Sequence, residues 1–137
     1  MRAGLYAFEA GQLGSALPRQ TKIDQTEIAA MTRTVLEWAP LRVRPGVTEE
    51  QLLAAAALLQ SGFISRQFGF LKRKLVRRRD GSYVDLVLWA TAEAAEQAMH
   101  HAEANDTCRA YFALLNDDSA TAGAGVEHLE VMADFTS

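Results

Sequence analysis

Hydrophobic and polar positions along the chain alternate in some stretches and recur every third or fourth residue in others. Over Thr34 to Arg44 the alternation is strict. Val35, Glu37, Ala39, Leu41 and Val43 share one face of an extended strand, and Leu36, Trp38, Pro40, Arg42 and Arg44 share the other. Pro40 lacks a ladder donor and predicts an edge strand or a bulge. Thr48 and Gln51 form a capping-box pair, so a helix should start there, with Glu49 and Glu50 at the positive end of its dipole and Gly62 at its end.

Alternation returns on both sides of Asp80-Gly81, a dipeptide suited to a tight hairpin turn. Before the turn Phe70, Lys72, Lys74 and Val76 oppose Leu71, Arg73, Leu75 and Arg77; after it Tyr83, Asp85, Val87 and Trp89 oppose Val84, Leu86 and Leu88. The aliphatic face of Val84, Leu86 and Leu88 is expected to meet the helices. Thr91 caps a second helix to about Ala104, with Ala95, Met99 and Ala102 as its inward stripe and Ala94 and Ala98 beside them. A short helix over Thr107 to Leu115, a polar loop over Asn116 to Gly125 and a strand from Val126 to Phe135 complete the pattern. Residues 1–33 hold no sustained period and read as a loosely docked leader, with one or two helical turns from Asp24 to Thr32; residues 34–137 read as the domain.

The order β-α-β-β-α-β is the ferredoxin-like, split-βαβ pattern of the α+β class, an antiparallel four-stranded sheet with both helices on one side. The other side should carry Tyr83, Val87, Trp89 and Met132 mixed with Glu37, Asp85, His128 and Glu130. A patch of that size is seldom left in water, so a homodimer through the sheet face is expected.

Composition narrows the functional classes. A net charge of −3, with 49% apolar and 23% charged residues, gives no basic excess for nucleic acid. The basic run Lys72, Arg73, Lys74, Arg77, Arg78 and Arg79 and the segment Arg66-Gln-Phe-Gly-Phe-Leu half match an RNA-recognition signature. That signature belongs on the third strand and carries glycine where Gln67 stands; charges on a hairpin and exposed strand also serve to prevent edge pairing. The single Cys108 excludes an intrachain disulfide and points to a reducing cytoplasm. No secretory signal or membrane span is expected. His100 and His101 are adjacent and make a poor metal pair.

Arg44-Pro-Gly-Val-Thr-Glu-Glu-Gln-Leu, Gly69-Phe-Leu, Asp80-Gly-Ser-Tyr-Val-Asp-Leu-Val-Leu-Trp and Ala94-Ala95 together resemble the dimeric α+β barrel superfamily, in particular its antibiotic biosynthesis monooxygenase-like proteins. The resemblance covers about Thr34 to Phe135. It implies a dimeric α+β barrel and, among its branches, oxygenases that work without a cofactor; none is expected here. The haem-degrading branch uses an asparagine, a tryptophan and a ligating histidine. Aligned on Gly46 and Trp89, the first two positions fall near Ala39 and Ala98, and no histidine lies between Asn105 and Leu115, so haem degradation is not expected.

Within this frame His128 is the candidate general base, because histidine titrates near neutrality. Asp85 is a candidate proton-handling acid, and a salt bridge to Lys72 or Lys74 is its structural alternative. Trp38, Tyr83, Glu37 and Glu130 are candidate ligand-binding residues; Trp89 reads as core. Two functions fit: an oxygenase-like enzyme acting on an apolar or aromatic compound held between sheet and helices, or a non-catalytic dimeric binding or accessory protein. RNA binding is a distant third.

Overall fold

The structure is a computed structural model, described here for residues 33–117 and 125–137. The expected leader lies outside the described residues apart from Arg33. Four strands, β1 (Val35–Leu41), β2 (Phe70–Arg77), β3 (Tyr83–Trp89) and β4 (Glu127–Glu130), form one antiparallel sheet in the order β2-β3-β1-β4. Helices α1 (Glu49–Gly62), α2 (Ala92–Ala102) and α3 (Asp106–Phe112) complete the ferredoxin-like α+β arrangement that the alternation predicts.

Local chemistry fixes the helix starts. The Thr48 hydroxyl accepts from Gln51 N–H at 3.1 Å while Thr48 N–H donates to Gln51 Oε1 at 2.8 Å, so the reciprocal cap is complete. Thr91 caps α2 through Ala94 N–H at 3.0 Å, and Asn105 caps α3 through Cys108 N–H at 3.0 Å. Leu52, Ala56 and Leu59 are the buried positions of α1; the alanines Ala94, Ala95 and Ala98 are those of α2. Small side chains let α2 lie close to the sheet.

The expected sorting of faces is reversed in the hairpin. Tyr83, Asp85, Val87 and Trp89 share a face, as the alternation requires, but it is the face under the helices: Val87, Trp89 and Tyr83 pack into the core with Val35 and Leu41. In register, Val84, Leu86 and Leu88 stand with Leu36, Trp38 and Pro40 on the side away from the helices. Period two assigns residues to a common face and does not say which face a helix takes. The mixed face can be covered because its polar groups find partners within the domain.

A bulge changes β2 as well. Phe70 pairs with Trp89 and Lys72 with Leu88, which leaves Leu71 as the extra residue. Phe70 therefore faces inward, edge-on to Trp89 with ring centroids 6.0 Å apart, while Lys72, Lys74 and Val76 face outward and Arg73, Leu75 and Arg77 face the helices. Gly69 enables this entry. Its φ is +82°, and a Cβ there would stand 2.5 Å from that of Ala94.

Pro40 sits on an interior strand, not an edge. Its β1 neighbour β4 pairs only as far as Trp38 with Glu127, so no ladder bond is lost on that side. β4 is shorter than the expected Val126 to Phe135. Its last rung is Val131 N–H to Thr34 O at 3.0 Å, just before β1 begins at Val35.

Candidate functional site

Between the sheet and α2, α3 and the end of α1 lies a cavity of about 110 Å³. Most of its wall is apolar, including Leu59, Phe63, Val87 and Ala98; Glu37 from β1, Asp85 from β3, and Cys108 and Tyr111 from α3 also line it. Period two delivers Glu37 and Asp85 to this space. Glu37 pairs in register with Val87, and Asp85 with Ala39, so the two carboxylates are diagonal neighbours on one face.

Each carboxylate belongs to its own network. Asp85, 6% exposed, receives Arg73 as a two-pronged fork: Nε to Oδ1 at 2.7 Å and Nη2 to Oδ2 at 3.0 Å. The Tyr111 hydroxyl adds a third bond to Oδ2 at 2.9 Å. Arg73 Nη1 in turn donates to Ala56 O at 2.9 Å and to Gln60 Oε1 at 3.4 Å, which ties β2 to α1. Burial opposes the charge on Arg73, but the bonds and charge of Asp85 outweigh it and raise the guanidinium above its usual range. Burial, and then the Asp85 charge, hold the Tyr111 phenol far above its ordinary value.

Glu37 is arranged differently. Its Oε1 accepts from Trp89 Nε1 at 3.1 Å and meets His128 Nε2 at 3.2 Å. Its Oε2 takes no hydrogen bond from the described residues. Burial raises its pKa above the usual carboxylate value, against the opposing pull of His128 and the Trp89 N–H; the Asp85 charge adds to the rise. A carboxylate with a raised pKa and one uncommitted oxygen on a cavity is suited to accept a proton. Cys108 is a buried thiol pushed up to about 11 by burial, so it stays protonated.

The sequence-predicted residues separate into three groups. Glu37 and Asp85 line the cavity, and His128 stands behind Glu37, bonded to it, half-buried at the sheet's β4 side. Asp85 takes neither Lys72 nor Lys74 as partner: the bulge turns those lysines outward and brings Arg73 to its face. Tyr83 is on the helix side but donates to Glu49 Oε1 at 3.0 Å, beside Arg77, and does not line the cavity. Trp38 is on the opposite face of the sheet, and Glu130 is bound to Arg33 at 2.9 Å on the surface. Arg73 and Tyr111 escaped sequence reasoning. The helical spacing of Cys108, Tyr111 and Leu115 marks an inward stripe, and a buried tyrosine hydroxyl needs a partner. Among the described residues no group of three or more histidine, cysteine, aspartate or glutamate side chains could hold a metal ion, and no helix is long and apolar enough to cross a membrane.

No protein-family model and no curated protein matches the sequence. Solved structures do match. A variant of SnoaB, a cofactor-independent oxygenase from Streptomyces nogalater, superposes with a TM-score of 0.54 at 24% identity over 76% of this chain and 96% of that one. A Chloroflexus aurantiacus protein provisionally designated an antibiotic biosynthesis monooxygenase gives 0.53 at 15% identity, over 75% and 97%. A heme-degrading protein from Mycobacterium tuberculosis gives 0.52 at 18%, over 77% and 99%. The chain has the ferredoxin-like α+β fold of the antibiotic biosynthesis monooxygenase-like proteins.

Proposed function

We propose that this protein is a homodimeric small-molecule-binding protein of the reducing cytoplasm, and that it acts as a cofactor-independent oxygenase on a compact apolar or aromatic compound held between sheet and helices. The observation that carries this reading is the apolar cavity with the uncommitted Glu37 Oε2 on its wall. Glu37 accepts a proton from an activated C–H of the substrate, and His128 and Trp89 hold the carboxylate in place. The substrate carbanion then reacts with dioxygen. One oxygen atom becomes a carbonyl at the former CH₂ and the other leaves as water, so no external reductant is needed. His128 is a positioning residue in this scheme, and Asp85, held by Arg73 and Tyr111, sets the field near Glu37.

The homodimer rests on the sheet's other face. Leu36, Trp38, Leu86, Leu88 and Leu129 stand together there with no helix of the described residues above them; the first four are half-buried within one chain and Leu129 is 41% exposed. A second reading is a non-catalytic binding or accessory protein. The cavity volume favours it, because small-molecule pockets usually start at about 300 Å³.

Native mass spectrometry of the full chain, purified gently without added ligand, tests both parts. A dimer carrying a discrete extra small-molecule mass is expected. A bare dimer moves the accessory reading ahead, and a bare monomer removes the sheet-face pairing.

A further inference from the structure

The run Leu52 to Leu59 is apolar on every side of α1, but only Leu52, Ala56 and Leu59 are buried. On the outer face Glu50, Ala54, Ala57 and Ser61 follow at intervals of four, three and four residues, all of them exposed. That is the spacing of a seam between two helices, and its small side chains let a second helix come close. Leu53 and Leu58 flank this line on its two sides, 53% and 67% exposed. Scattered exposed leucines are ordinary; two that bracket an exposed line of small residues make a continuous apolar strip. Beside Leu53 lies an open groove lined also by Ala57, Gln60 and Leu75. The two ends of the strip carry opposite charge. Glu50 stands at the N-terminal end and, unlike Glu49, which is bound to Arg77, it has no ion-pair partner among the described residues. Arg66 stands at the C-terminal end, where its Nε donates to Ser61 O at 3.3 Å.

From this face we infer a second contact between copies of the chain: two α1 helices packed antiparallel about a two-fold axis through the middle of the strip. The charges choose both the occupant and its direction. A two-fold turn sets Glu50 of each copy beside Arg66 of the partner subunit, at both ends at once, and opposes the two helix dipoles. A parallel pairing would set Glu50 against its own mate and is disfavoured. The contact is weak. Helix α1 has 14 residues, a length of about 21 Å, and one seam of that length falls below the ~1,200 Å² at which specific interfaces begin, so a Kd on the order of 100 µM is expected. The strip is on the helix side of the sheet and shares no residue with the proposed sheet-face pairing. With both contacts in place, dimers join end to end instead of closing a ring.

Sedimentation velocity of the full chain from about 5 µM to about 500 µM tests this. The average mass should rise above its low-concentration value near the top of the range. Leu58→Glu, at an exposed position, should abolish that rise and leave the low-concentration mass unchanged. Glu50→Arg should weaken the association by about tenfold, and Glu50→Arg with Arg66→Glu should restore it, which a parallel or unspecific contact would not do. Leu86→Lys, on the other face, separates the two contacts: at low concentration this variant should be a monomer, and its mass should still climb toward a dimer as concentration rises. A mass constant over the whole range, a rise that survives Leu58→Glu, or a Leu86→Lys variant that never associates would overturn the α1 contact and leave the sheet-face proposal standing.

Discussion

Replacing Arg73 with methionine removes the one cation that makes a buried Asp85 tolerable. Both side chains are 8% exposed, and four hydrogen bonds leave the guanidinium. Methionine preserves much of the stem's packing, so the perturbation falls on charge and hydrogen bonding. Asp85 would keep only the Tyr111 hydroxyl. Breaking a buried pair from one side costs about 3–5 kcal/mol, a large part of the ~5–15 kcal/mol that holds a domain folded. Urea denaturation at pH 7 should show the loss as a lower midpoint with an unchanged slope. Arg73→Lys guards against a variant that does not fold: it keeps the charge, loses the fork, and should cost about 1–2 kcal/mol. Adding Asp85→Asn to Arg73→Met removes the stranded charge, so the double variant should be more stable than the sum of the single losses by about 1–3 kcal/mol. A loss below about 1 kcal/mol for Arg73→Met would place the pair with solvated surface bridges and refute this account of the core.

Three further outcomes follow from other parts of the structure. Gly69→Ala combines a positive φ with a Cβ 2.5 Å from Ala94, and should destabilise by about 2–4 kcal/mol in thermal denaturation; Gly46→Ala, at φ +90° with open space around it, should cost only about 1 kcal/mol. Burial holds the Glu37 carboxyl above the ordinary carboxylate range in the folded protein, so the folded state binds more protons than the unfolded one between the ordinary value and the raised one. Stability from this group is therefore present at low pH and declines as pH rises through that window; denaturant midpoints against pH should be flatter there in Glu37→Gln. Leu86→Lys places a charge in the middle of the sheet face opposite the helices, and light scattering behind size exclusion should show a wild-type dimer become a monomer, with the circular dichroism spectrum unchanged.

Much of this was legible in the order of residues. The caps at Thr48 and Thr91 are local side-chain chemistry, and both form as the spacing requires. The grouping of Glu37 with His128 and of Tyr83, Asp85 and Trp89 follows from alternation alone. The side on which the helices pack was not legible, because that choice depends on Arg73, and Arg73 reaches Asp85 only after a bulge at Leu71 shifts the β2 register. The cavity was expected between sheet and helices, but its third polar member was hidden in α3. Tyr111 lies 26 residues from Asp85, and no local pattern links them. The basic run also changes meaning once register is known: Arg73 is bound to Asp85 and Arg77 to Glu49 at 2.6 Å, so two of its six cations hold the domain together.

The reversal of faces changes the surface on which the dimer proposal rests. A mixed face of aromatics and acids could remain partly solvated at modest cost, since its charged groups prefer water. Opposite the helices the sheet carries Leu36, Trp38, Leu86 and Leu88, half-buried within one chain, with no helix of the described residues packed on them; Lys72 and Lys74 lie along the β2 margin of this face and Glu127 along its β4 margin. Those margins have opposite charge, and they lie at opposite edges of the sheet. A two-fold operation that stacks two such faces with β2 over β4 sets the lysines of each copy against the glutamate of the other, while the leucines and tryptophan meet in the middle. The parallel stacking, β2 over β2, opposes lysine to lysine and is disfavoured. Charge reversal at both margins, Lys72→Glu and Lys74→Glu together with Glu127→Lys, should therefore preserve self-association, while Lys72→Glu with Lys74→Glu alone should weaken it by roughly tenfold in sedimentation equilibrium. Equal weakening by the two sets would mean that the margins do not meet, and the apolar centre alone would have to account for any pairing.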